Sequence, residues 1–173
     1  MATFTERAVD ALGAFLTDSS YGINAETLPE MRTALSVSTD ALPDIGAFEA
    51  WYHRSVQAQS FPYLSYVVAS SEGESEPNSR FYSVDFDLGL VVLDQSIAGD
   101  EAATMVAAWR YADAIKTLFN RRVGGGGQGW TLGGASGIIR ATVGAQAVGS
   151  DPSIAAPNVA LLTRVTVVTS EEY

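Results

Sequence analysis

Asp85 and Asp87 are the residues best placed by type and spacing to do chemistry. They stand two apart in a run where Tyr82, Val84, Phe86, Leu88, Leu90 and Val92 alternate with polar or small residues. On a strand that spacing puts both carboxylates on one face, a geometry suited to a divalent cation or a general acid and base pair. No further acidic or histidine partner stands at a diagnostic spacing, and paired carboxylates more commonly mark the solvated face of a sheet. The single histidine, His53, follows Trp51 and Tyr52. A Ser-His-Asp assembly would need it, yet no serine occupies a nucleophile elbow, and Ser136 in GGASGI fails the G-x-S-x-G pattern. Gly124 to Gly127, with Gln128 and Gly129, lack the Lys-Ser/Thr ending of a phosphate loop and follow a helix pattern where a strand is required. The expectation is therefore no catalytic group, no cofactor and no metal. Glu72, Glu74 and Glu76 are either solubilising charges on a hairpin tip or groups facing a partner or a channel. Trp130, closing the glycine segment, is an aromatic anchor of the kind interfaces favour.

Composition narrows the function classes further. The chain has 173 residues, 47% hydrophobic and 17% charged, enough for one substantial core and too few for two, so residues 1–173 are expected to form a single domain. A formal net charge of -10 opposes attachment to nucleic acid or to an anionic membrane surface. With no cysteine, disulfides and thiolate metal sites are excluded. The start, MATFTERAVD, does not read as a secretory signal, and no segment reaches the roughly 20 apolar residues of a membrane span. A soluble protein, used where it is made, is expected.

The elements that must position these residues follow from periodicity. Thr3 and Glu6 at capping-box spacing, then Phe4, Ala8, Leu12, Phe15 and Leu16, predict a short helix over 4–17. Short strands are expected at Ala34 to Ser38 and around Phe48 to Tyr52. A strand beginning near Tyr63 is expected to stop at the polar stretch SSEGESEPNS and to pair with a long strand over 80–93. At about 3.4 Å per residue that strand would span roughly 46 Å, long enough for part of it to project beyond the domain. A long helix over 100–120 follows, its apolar stripe read as Ala102, Met105, Val106, Trp109, Ala112, Ile115 and Phe119. Strand patterns at 138–149 and 159–170 complete a second hairpin. The expected fold is α+β, an antiparallel β-sheet built from two hairpins and packed against one long and one short α-helix.

This order of elements, with FYSVDFDLGLVVLD leading into DEAATMVAAWRYADAIKTLF and a final ALLTRVTVVTSEEY, resembles the tail terminator (tail completion) proteins of long-tailed bacteriophages. The resemblance covers roughly residues 60–173, with the helix at 4–17 consistent. It implies a structural, non-enzymatic virion protein, made in the host cytoplasm. Its subunits would assemble as a hexameric ring that caps the tail tube and joins it to the head. The implied partners are the major tail tube protein and a head completion or connector protein, with DNA only in passage and no membrane. The competing readings are a head completion protein or tail tube subunit, a binding module using Trp130 and the glycine segment, and a metal-dependent enzyme using Asp85, Asp87 and His53.

Overall fold

The alternation over 80–93 becomes β3, Phe81–Leu93, an interior strand of a five-stranded sheet. The computed structural model describes residues 4–50, 60–73, 81–93, 101–121, 138–152 and 156–170. β3 pairs antiparallel with β2 (Tyr63–Gly73) on one side and with β5 (Asn158–Ser170) on the other. β4 (Ile138–Gly149) lies antiparallel beyond β5, and β1 (Ala47–Ala50) lies parallel beyond β2, giving the order β1-β2-β3-β5-β4. The protein is thus α+β, with a mixed and mostly antiparallel sheet.

Several expectations are corrected. The sheet is not wholly antiparallel: Ala47 pairs with Tyr63 and Ala50 with Tyr66, and the Gly46 amide extends the parallel pair by donating to the Pro62 carbonyl at 2.7 Å. Among the described residues there are three α-helices rather than two, α1 (Phe4–Thr17), α2 (Leu28–Leu35) and α3 (Glu101–Phe119). The anticipated strand at Ala34 to Ser38 is instead the end of α2. Leu, Glu, Met, Arg and Ala favour helix, Pro29 fits its first turn, and Ser36 closes it in the left-handed region at φ 54°. β3 is paired with β5 along its whole length, from Phe81↔Ser170 to Leu93↔Asn158. β2 does not stop at the polar stretch, since it continues through Ser71 and Glu72 to Gly73.

That continuation includes a register shift between Val68 and Ser70. One extra residue reverses the inward and outward alternation of all that follows. Val68, opposite Phe86, is on the helix side of the sheet, whereas Ser70, opposite Asp85, falls on the other side.

One side of the sheet carries the core. Val84, Phe86, Leu88, Leu90 and Val92 of β3 share a buried cluster with Leu12 and Phe15 of α1 and with Tyr111 and Phe119 of α3. Phe15 meets Phe119 edge-on, with ring centroids 5.1 Å apart, tying the two helices together over the sheet. α1 lies against β1 and β2, and α3 against β5 and β4. Close approach of α1 depends on Gly13, where a Cβ would overlap the Tyr66 hydroxyl and lie 3.2 Å from the ring carbon bearing it. The segment Leu42 to Ile45 is held by side chains from three directions. Tyr111 Oη donates to the Pro43 carbonyl at 2.6 Å, and Arg32 Nε to the Leu42 carbonyl at 2.7 Å. Asn24 both donates to the Ile45 carbonyl and accepts from its amide, each at 2.9 Å.

Candidate surfaces on the open sheet face and on α3

The odd-numbered residues of β3 point away from the helices. That face is buried at one end, around Tyr63, Ser65, Val91 and Leu93, and more open towards Asp85 and Asp87. Its register sets cross-strand rows: Ser70, Asp85 and Thr166 in one, Val67, Asp87 and Arg164 in the next, then Ser65, Gly89, Leu162 and Ala147. Cross-strand neighbours stand about 5 Å apart, so side chains in one row can touch.

Asp85 accepts two hydroxyl hydrogen bonds, one from each flanking strand: Thr166 Oγ1 donates to Oδ1 at 2.6 Å and Ser70 Oγ to Oδ2 at 2.8 Å. These donors, Thr166 foremost, hold its carboxyl below the usual aspartate value, with the Arg164 guanidinium a lesser influence. Asp87 is engaged differently. Arg164 closes a fork on it, Nε to Oδ1 at 2.8 Å and Nη2 to Oδ2 at 3.1 Å. The two carboxylates thus tie β2, β3 and β5 together across the open face. Asp85 stays ionised through the neutral range, which suits a hydrogen-bond acceptor and not a proton donor. Among the described residues no group of three or more His, Asp or Glu side chains could hold a metal ion.

Of the residues singled out by spacing, Asp85 and Asp87 do share this face, and Glu72 pairs with Ser83 in the β2–β3 ladder. Glu74, Glu76, Trp130, His53 and Ser136 lie outside the described residues. Sequence reasoning missed Ser70, Arg164 and Thr166. Arg164 and Thr166 carry a recognisable signal, alternating with Thr163, Val165 and Val167 on a strand, but which strand they face depends on β5 lying between β3 and β4.

A second surface appears where burial was expected. Ala112, Ile115 and Phe119 of α3 point into the core as anticipated, but Met105, Val106 and Trp109 are 39%, 48% and 48% exposed, and Ala102 is exposed too. The first turns of α3 bury Thr104, Ala107, Ala108 and Tyr111 instead. At 3.6 residues per turn the apolar stripe Met105, Val106 and Trp109 lies on nearly the opposite side of the helix from this buried set, and it is left facing outward. Asp113 and Lys116 continue the same outward line. Leu162, in the middle of the open sheet face, is 50% exposed. Among the described residues no helix is long and apolar enough to cross a membrane. No protein-family model matches the chain, and no curated protein matches it.

Proposed function

We propose that the chain is a structural subunit of a long-tailed bacteriophage, a tail terminator that closes into a ring, caps the tail tube and joins it to the head. The observation that carries this reading is the line Met105, Val106 and Trp109, three large apolar side chains turned to solvent on one helix of a strongly acidic chain. An isolated exposed apolar residue is ordinary, whereas a helical stripe of them calls for a neighbour. The antiparallel pairs β2 with β3 and β4 with β5 are read as the two hairpins of that family's sheet, and the reading assigns the protein no enzymatic role, cofactor or metal.

Charge supports the same assignment. Six copies at -10 each would place a formal -60 on the ring, a wall that repels DNA as DNA passes. Asp85, Asp87 and Glu72 are assigned to the lumen or ring surface, with the tail tube protein and a head completion or connector protein as axial partners. The test is native mass by light scattering, with negative-stain imaging, of the purified protein alone and with tail tubes added. A closed ring of about six subunits is expected, and a strict monomer under both conditions would overturn the reading. Indefinite stacking would point to a tube subunit instead. Lysine at positions 72, 85 and 87 should impair infectivity, and unchanged infectivity would exclude the lumen placement.

A further inference from the structure

We infer that the outward stripe of α3 on one copy docks on the open face of β5 and β4 on the next copy, around Leu162. This deepens the ring reading and rests on it for closure alone. α3 packs on the helix side of β5 and β4, so its exposed stripe and the exposed Leu162 face opposite ways on one subunit. One copy can therefore present both at once. The two surfaces differ in shape. The stripe is a ridge of Trp109, Met105 and Val106, whereas Leu162 is bordered by Gly89 across on β3 and by Ala147 across on β4, short side chains that leave a shelf. A ridge fitted to a shelf makes a head-to-tail contact, not a two-fold one.

The charges agree in sign and in spacing. Along α3, Asp113 is about 6 Å and Lys116 about 10 Å beyond Trp109, at 1.5 Å per residue. Along β5, Arg164 is about 7 Å beyond Leu162, and the Asp85 and Thr166 row about 14 Å beyond it, at about 3.4 Å per residue. With Trp109 seated on Leu162 and helix and strand aligned, Asp113 meets Arg164 and the long Lys116 side chain reaches towards Asp85. Arg164 can serve both partners, since its fork to Asp87 uses two of the five donors of a guanidinium. The β4 edge is a weaker docking site. Register shifts between Ile138 and Arg140 and between Val143 and Gln146 interrupt the strand that an added partner strand would have to follow.

The experiment uses two variants of the full chain, Trp109→Glu and Leu162→Glu, both at exposed positions and both checked for wild-type circular dichroism and thermal melting. Sedimentation over a concentration series compares each alone, the two mixed in equal amounts, and the wild type. The expected result is an assembled wild type, each variant alone at the 18.3 kDa of a monomer, and a mixture that forms a species of twice that mass and nothing larger. In the mixture the intact ridge of one variant meets the intact shelf of the other exactly once. Assembly of Leu162→Glu alone would show ridge-to-ridge pairing and overturn the inference. So would a mixture that stays monomeric while the wild type assembles, with the ring reading left standing. Open fibres from the wild type, abolished by either substitution, would uphold this interface and sink the closed ring.

Discussion

Replacing Tyr111 with phenylalanine removes one oxygen from the fully buried centre of the molecule, and two independent readouts follow. Tyr111 is 0% exposed and donates to the Pro43 carbonyl at 2.6 Å, fastening α3 to the segment that Asn24 and Arg32 hold from the other side. The ring still fills its space in the variant, so no cavity forms, but the Pro43 carbonyl loses its donor. Pro43 is only half-buried, so the lost hydrogen bond is worth about 0.5–1.5 kcal/mol, and at about 2–4 °C per kcal/mol for a chain of this size a loss of about 1 kcal/mol lowers the melting temperature by about 2–4 °C. The second readout is alkaline. Burial pushes the Tyr111 phenol well above its ordinary value of 10.0, with nearby Arg32 opposing and Asp44 adding to the rise. Below pH 10 the phenol is neutral in both states and its contribution is complete. Above pH 10 the unfolded chain gives up the proton first, so stability falls as pH rises towards the folded value. Tyr111→Phe should therefore melt lower at pH 7 yet lose less stability than the wild type above pH 10, by up to about 1.4 kcal/mol per pH unit. Tyr66, also raised by burial and then by Asp10, keeps some alkaline dependence in both proteins. Thermal melts followed by circular dichroism from pH 7 upwards measure both effects. A variant with the wild-type melting temperature and the wild-type alkaline slope would refute the buried, hydrogen-bonded phenol.

Gly13→Ala would normally strengthen a helix by about 1 kcal/mol, but the overlap with the Tyr66 hydroxyl should reverse the sign to a loss of about 1–3 kcal/mol. Adding Tyr66→Phe should recover most of that loss in urea unfolding, and no recovery would mean that the clash lies elsewhere. Asp85→Asn tests the acid side. A carboxylate whose folded value lies below the ordinary 3.8 contributes stability above pH 3.8 that disappears as pH falls through the folded value, so the variant should show a shallower acid limb. An unchanged limb would dissociate Asp85 from Thr166 and Ser70. Asn24→Ala strips both backbone bonds from nearly buried Ile45 and should cost about 2 kcal/mol in the same unfolding assay.

Period alone was enough to locate the long elements, because β3 and α3 each bury a continuous face and burial enforces a repeat. Tyr82 to Val92 had to be a strand with one polar face, and Asp85 and Asp87 had to share it. Three things were invisible along the chain. An extra residue between Val68 and Ser70 carries no compositional mark, yet it decides that Ser70 joins the aspartates and not the core. The stretch Ala34 to Ser38 suggests a short strand on its own, whereas residues 28–35 form a helix with Pro29 in its first turn and Ser36 at its close, in contact with α3. Hydrophobicity along α3 points to one inward stripe, because it ranks Trp109, Met105 and Val106 above Ala107 and Ala108. Packing makes the opposite choice, burying Thr104, Ala107, Ala108 and Tyr111 and leaving Met105, Val106 and Trp109 outside. Sequence by itself determined an acidic, cysteine-free α+β chain whose two spaced carboxylates lie on a strand face. Only the tertiary structure decided what those carboxylates bond to and which apolar residues remain outside. Both depend on strand order and interlayer distance, which are properties of residues far apart in the chain.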